Sequence, residues 1–275
     1  MDRDGGGPRL GRYLLLVACA AVVGFPIYAA VAVSIQPGAR LVDFPAVLWP
    51  SYLDLQPMRT AFREAHMARY LVNSAIVTGI VVVAQVVTSV LAAYAFAFVH
   101  FPFKRTIFVL FLTTLMVPAE VSVVANYDTV QKLHWLDSYQ ALTVPFLATA
   151  FGTFLLRQAF LQIPGELREA AVLDGCRHFG FLRRVALPLA RPAVASLAVF
   201  AFLTSWNQYL WPLVVTNDDR YRTVQVGLKS LASSNIDQLN LIMAGTVIAA
   251  LPIFVLLVLF QRQLVRGITS GAVKG

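Results

Sequence analysis

Apolar runs close in length to the thickness of a lipid bilayer recur along this chain, at residues 13–34, 71–99, 106–125, 142–160, 189–215 and 241–261. Each approaches or exceeds the ~20 residues that a helix needs to cross the hydrocarbon core. Inside lipid every backbone N–H and C=O must find a protein partner, and a helix pairs its own. The expected fold is therefore all-α, a polytopic membrane protein with six transmembrane helices. Composition agrees, with 58% hydrophobic and only 13% charged residues among 275. A soluble domain carries roughly 25% charge. Pro26, Pro118, Pro145, Pro212 and Pro252 fall within the runs, where neighbouring helices or cavities take up the freed carbonyls. No internal repeat, low-complexity linker or separate soluble domain is evident.

The chain reads as a tail at 1–12, a six-helix membrane domain at 13–262 and a second tail at 263–275. Gly5-Gly6-Gly7-Pro8 is expected to be disordered. The first run has a rival reading as a signal peptide, because Arg3, Arg9 and Arg12 precede it and Ala30-Val31-Ala32 resembles a cleavage site. Its apolar core is long for that role, and cleavage would leave an odd number of spans. With the amino terminus inside, 14 lysines and arginines fall in inner segments and 8 in outer ones. The bias of basic residues toward the cytoplasm then places both termini and the loop at 163–188 inside.

That loop is the longest polar interruption in the carboxy-terminal half. Pro164 and Gly165 stop the preceding helix. Glu166 and Glu169 follow in the first turns of a short helix, where acidic groups favour the positive end of its dipole. Leu167, Ala170, Ala171 and Leu173 supply a small apolar face. Gly175 suits a turn after a helix terminus. A second short helix is expected through Phe181, Leu182 and Val185, ended by Pro188. Two short arginine-rich helices at an angle form a docking element; an ordinary amphipathic surface loop is the bland alternative.

Other constellations are sparser. Ser89, Ala93 and Ala97 have the four-residue spacing that lets membrane helices pack closely. Glu120, two residues after Pro118, is the one carboxylate placed in or at the rim of a span. It is either a functional intramembrane group or a hydrated cap on a broken helix, and the sequence leaves both open. Trp206-Asn207-Gln208-Tyr209-Leu210-Trp211 clusters amides and rings deep in the fifth run. Amides and rings suit a translocation path; the alternative is an interfacial aromatic belt, which fits Tyr209 and Trp211 better than Asn207 and Gln208.

Several functions are excluded. The net charge of +8 is accounted for by topology, and no basic, aromatic-interleaved soluble patch exists for nucleic acid. No phosphate-binding loop, zinc-protease helix or serine-nucleophile motif is present, so no catalytic residue is assigned. His66, His100, His134 and His178 are scattered over different loops and form no metal site. Cys19 and Cys176 lie in different surroundings and make a poor disulfide pair. An intramembrane enzyme or a channel remains a weaker alternative. The first needs paired catalytic groups at one depth, and the second has no use for such a loop.

Glu169-Ala170-Ala171, Gly175 and Val185-Ala186-Leu187-Pro188 together resemble the EAA motif of binding-protein-dependent ABC importer permeases, with Cys176 and Val185 in place of the usual alanine and isoleucine. The likeness spans nearly the whole chain. Asn73-Ser74, Met116–Val121, Leu136-Asp137-Ser138-Tyr139 and Phe154-Leu155-Leu156-Arg157-Gln158 resemble the carbohydrate, maltose-type group. Within it, LDSY and WNQYLWPL resemble E-subunit permeases of the Ugp-type importers of glycerol-3-phosphate and glycerophosphodiesters.

The resemblance implies a type I ABC importer permease fold in the bacterial inner membrane. It further implies a coupling role for Glu169, Ala170, Ala171, Asp174, Gly175, Leu187 and Pro188; the residue chemistry above, separately, suggests a path near Trp206, Asn207, Gln208, Tyr209 and Glu120. The implied partners are a second, A-type permease subunit, an ABC ATPase dimer that binds ATP and Mg, and an extracytoplasmic binding protein. This chain itself would hold no cofactor and no metal. A sugar importer is the alternative cargo reading.

Overall fold

The computed structural model describes residues 7–37, 53–63, 66–234 and 239–270, and every regular element among them is helical. α1 (Gly7–Ser34) carries the first run. Gly7 and Pro8, expected in a disordered tail, open this helix instead, where the missing proline N–H would have been unpaired anyway. Gly5 and Gly6, and Lys274 at the other terminus, lie outside the described residues. A short α2 (Gln56–Arg63) is followed by α3 (Met67–Phe98), which is unbroken for 32 residues.

The third run is not one helix. It divides into α4 (Lys104–Thr113), a 3-10 turn at Thr114–Met116, an extended Val117 (φ −83, ψ 118), a second 3-10 turn at Ala119–Val121 and α5 (Ser122–Lys132). Pro118 is the cause: it lacks the donor for the next helical bond and drives the residue before it out of the helical region.

The fourth run is bent by 43° between α6 (Tyr139–Thr143), with its 3-10 extension at Val144–Phe146, and α7 (Ala150–Leu161). The polar loop then forms α8 (Gly165–Leu173), α9 (His178–Phe181), a π-helical turn at Leu182–Ala186 and α10 (Leu187–Leu189). Pro188 does not end this second helix as expected. The helix passes through it to Leu189, and the chain turns 78° into α11 (Arg191–Trp206). α12 (Leu210–Val215), α13 (Val224–Ser234) and α14 (Leu239–Ser270) complete the order. Among the described residues Gly11–Ser34, Met67–Phe98 and Leu239–Gln261 are long and apolar enough to span alone. The two bent pairs raise the number of spans to as many as five.

The chain forms two compact units, 1–68 with 227–251 and 69–226 with 252–275. In the first, the Asp54 N–H donates to the Ile35 carbonyl at 2.9 Å and Asn240 Nδ2 to that of Gln36 at 3.1 Å. Gly245 of α14 packs so closely on α13 that a Cβ there would lie 2.7 Å from Leu231 Cδ2.

The second unit is organised along α3, which enters two cores. Near its Asn73 end, Val77 and Val81 meet Val130, Ala141, Leu142, Trp211 and Val215. Near its Phe98 end, Val90, Ala93, Tyr94 and Phe98 meet Leu156, Phe160 and Leu197, together with Ala171, Phe181, Leu182, Ala186 and Ala190 of the loop. Ser89 and Ala93 are fully buried, as their spacing predicts. The close approach is completed by Gly152 of α7, where a Cβ would lie 2.4 Å from Ser89 Oγ.

Candidate functional site

α8 ends in a glycine-terminated turn built from local sequence. The Gly175 N–H donates to the Val172 carbonyl at 3.0 Å and the Cys176 N–H to that of Ala171 at 2.8 Å, closing the helix as a Schellman motif. The motif demands a left-handed residue, and Gly175 has φ +74. Glutamates 166 and 169 occupy the first turns of α8, as expected. The loop's candidate residues divide by exposure. Glu169, Ala170, Asp174 and Gly175 are exposed, Leu187 and Pro188 are half-buried, and Ala171 is buried in the core beneath. On the outer side Leu173 is 88% exposed and Phe179 70%, an apolar surface on a polar loop.

The loop is fastened to the Phe98 end of α3. The Tyr94 hydroxyl and His178 Nδ1 lie 3.1 Å apart, and Phe181 meets Phe98 edge to face at 5.2 Å. Arg168 Nη2 donates to the Phe98 carbonyl at 3.2 Å with its guanidinium over that residue's ring. Positive charge at the last carbonyls of a long helix is favoured by its dipole. A displacement of α8 is therefore mechanically tied to a membrane-length helix.

The path candidates are drawn apart. Trp206 is buried at 3% exposure and stacks on Phe202 at 5.4 Å. Asn207 ends α11 on the exposed side, its Nδ2 donating to the Leu203 carbonyl at 2.8 Å and its Oδ1 accepting from Gln225 Nε2 at 3.4 Å. Gln208 is half-buried and lines a small cavity of about 70 Å³ with Gln85, Thr204 and Ser205. Tyr209 is half-buried at the start of α12. Glu120 is exposed in the 3-10 turn after Pro118. Trp211 is not a belt residue: it is buried, and its Nε1 donates to the Ala141 carbonyl at 2.9 Å.

One network was invisible in the sequence, although Asn73, Ser74, Asp137 and Tyr139 lie in stretches already singled out. Asn73 Nδ2 donates to the carbonyls of Arg220 and Arg222, both at 2.9 Å, while its Oδ1 accepts from the Tyr139 hydroxyl at 2.8 Å. Ser74 Oγ accepts from the Val224 N–H at 2.8 Å. Asp137, at φ +53, accepts from the N–H groups of Asn217 and Asp218 at 2.6 and 2.8 Å. Arg220 binds the Asp218 side chain, which holds that carboxyl below its ordinary pKa. These bonds pin the segment after α12 to the start of α3 and to the turn before α6.

The chain thus combines membrane-length helices with a polar two-helix loop packed on the end of one of them. The fold is similar (TM-score 0.82, 22% identity, 95% of this chain and 98% of the other) to a chain in the crystal structure of a bacterial ABC transporter involved in the import of the acidic polysaccharide alginate. A chain of the alginate transporter in complex with its pentasaccharide-bound periplasmic protein is also similar, at a TM-score of 0.61, 14% identity, 93% of this chain and 94% of the other.

Residues 74–270 match the binding-protein-dependent transport system inner membrane component, and the chain belongs to this family. Curated relatives include the sn-glycerol-3-phosphate transport system permease proteins UgpE of Agrobacterium fabrum, 36% identical over 95% of this chain and 96% of its own, and of Brucella abortus, 34% identical over 94% and 95%. The corresponding Yersinia pestis protein is 32% identical over 94% of this chain and 95% of its own. The protein is thus a multi-pass inner-membrane permease component of a binding-protein-dependent transport system, and not itself an enzyme.

Proposed function

We propose that the chain forms half of a translocation pathway for glycerol-3-phosphate or glycerophosphodiesters. The observation that carries this reading is the 32–36% identity to permeases of sn-glycerol-3-phosphate transport systems along nearly the full chain. The other half comes from a second, A-type permease subunit. An extracytoplasmic binding protein delivers the cargo, and an ABC ATPase dimer holding ATP and Mg binds beneath. The chain crosses the membrane six times, with the broken α4–α5 stretch as the third crossing, and both termini are cytoplasmic.

In this reading α8 docks on the ATPase through Glu169, Ala170, Asp174 and Gly175, with Leu173 and Phe179 supplying apolar contact. Closure of the ATPase dimer displaces α8, and the Tyr94, Phe98 and Arg168 contacts carry the displacement into α3. A ligand-driven shift between two states requires contacts that differ between them. The loop therefore sits differently on the ATPase when the pore faces outward.

A phosphate cargo sets a condition on the path. Unit charges of one sign repel by several kcal/mol at contact distance in a medium of low effective dielectric. Glu120 therefore stays out of the path, at a helix end or against an arginine of the partner permease. Asn207 and Gln208 line the path with neutral hydrogen-bonding groups. Uptake of labelled sn-glycerol-3-phosphate and glycerophosphocholine by the assembled importer, against a neutral disaccharide, tests the reading. Transport of the disaccharide alone would sink it.

A further inference from the structure

Away from the loop and the path candidates, an open pocket of about 460 Å³ lies between the first turns of α4, the Phe98 end of α3 and α7. Its α4 wall is a single helical face. Lys104 and Arg105 stand in the first turn, and Phe108, Val109 and Leu112 continue the same face one and two turns on. Arg157 of α7 faces them, its guanidinium 4.2 Å from the centre of the Phe108 ring. One end is thus basic and the other apolar.

The basic end carries unbalanced positive charge. Lys104 Nζ donates to the carbonyls of Ala97 and Val99 at 3.3 and 2.9 Å, and Arg157 Nε to that of Phe96 at 3.2 Å. These are neutral helix-end carbonyls. Among the described residues, no ion pair involves Lys104, Arg105, Arg157 or Arg168. Desolvation first, and then the charges of Arg157 and Arg168, hold the Lys104 ammonium below its ordinary pKa. Arg157 keeps its Nη donors, and Arg105 all of its donors, unused by the described residues. With α4–α5 as the third crossing, the reading proposed above on which this inference rests, the cluster falls at headgroup height. Lys104 and Arg105 immediately precede the third apolar run, while Phe108, Val109 and Leu112 lie within it.

We propose that this pocket holds the phosphate headgroup of an anionic glycerophospholipid, with an acyl chain along Phe108, Val109 and Leu112. A free phosphate ester matches the basic end equally well but leaves the apolar wall without purpose. Basic pockets between membrane helices at the headgroup level are suited to anionic lipid. The occupied site would neutralise the cations crowded at the end of α3, next to the point where the polar loop is fastened. That would make the loop's anchorage sensitive to lipid composition.

The test uses the full chain in phosphatidylcholine nanodiscs doped with phosphatidylglycerol, with retained lipid counted by native mass spectrometry. The expected result is selective retention of phosphatidylglycerol. Arg105→Gln should lower the preference about fivefold, the factor corresponding to the ~1 kcal/mol that one basic side chain contributes near an anionic surface. Arg105→Gln combined with Arg157→Gln should remove most of it. Arg105 makes no hydrogen bond or ion pair among the described residues, so its loss probes binding without disturbing the fold. Arg183→Gln, on the polar loop outside the pocket, should leave the preference unchanged. An equal fall with Arg183→Gln would mark a diffuse surface potential and overturn the site. So would wild-type retention by the double variant, displacement of the lipid by inorganic phosphate, or its expulsion when a second permease subunit assembles.

Discussion

The Tyr94 hydroxyl lies 3.1 Å from His178 Nδ1, joining a membrane helix to the polar loop across 84 residues of sequence. The imidazole tautomer sets which of the two donates. This bond and the ring contact between Phe98 and Phe181 are side-chain links through which α9 bears on α3. Tyr94→Phe removes the bond and keeps the ring packing. A hydrogen bond of this kind contributes about 0.5–1.5 kcal/mol. Expected is a several-fold drop in substrate-stimulated ATP hydrolysis by the reconstituted importer, at unchanged membrane insertion. Full stimulation in the variant would remove the bond from the coupling route.

Glu169→Lys reverses the charge on the exposed face of α8, and Gly175→Pro cannot adopt the φ of +74 that closes the Schellman turn. Both should insert normally and lose stimulated ATP hydrolysis. Gly175→Ala is the graded control. Its Cβ meets nothing within 4 Å, so only the left-handed backbone opposes it, by about 1–2 kcal/mol. An intermediate loss of stimulation is expected from it. Wild-type stimulation in all three would take the coupling role away from the loop.

Orientation is checked at the loop itself. Leu173 is 88% exposed in this chain, so Leu173→Cys, with Cys19 and Cys176 replaced and the ATPase subunit left out of the cells, offers a reachable thiol. With the loop cytoplasmic, an impermeant maleimide should label it only after the cells are opened. Labelling in intact cells would invert the topology.

Packing between α3 and α7 should be the most sensitive to added volume. A Cβ at position 152 would lie 2.4 Å from Ser89 Oγ and 2.9 Å from Leu197 Cδ1. Gly152→Ala should therefore cost about 1–3 kcal/mol, the usual range for overpacking. Ser89→Ala, which removes the nearest atom, should return part of it. Thermal unfolding in detergent of the two single variants and the pair measures this. A fully stable Gly152→Ala would show that the helices separate without strain.

Glu120 and Asn207 separate path from support. Glu120→Gln should lower complex stability or coupling without changing which substrates are carried, whereas Asn207→Ala should slow transport directly. Uptake of glycerophosphocholine by each variant measures it. A Glu120→Gln importer much faster than wild type would place the carboxylate in the path.

Local chemistry made much of this protein legible in its sequence. A run of apolar residues settles for itself that it must be helical in lipid, and a glycine after a short amphipathic helix settles its own turn. The helical class and the two-helix loop, with Gly175 as its pivot, followed from neighbours in the chain. The break at Pro118 was local too, but its effect exceeded the tolerance expected of a membrane proline, and the third run did not form one helix.

What only the tertiary structure decided depends on partners far apart in sequence. Periodicity could not tell that Trp206 and Trp211 are buried in the protein, because lipid and protein interior are equally apolar. Nor could it foresee that Asn73 reaches carbonyls 147 and 149 residues away, or that Lys104, Arg157 and Arg168 converge on the last carbonyls of α3. A polar side chain must be satisfied once buried, but the group that satisfies it is chosen by packing. Packing is a property of the whole chain.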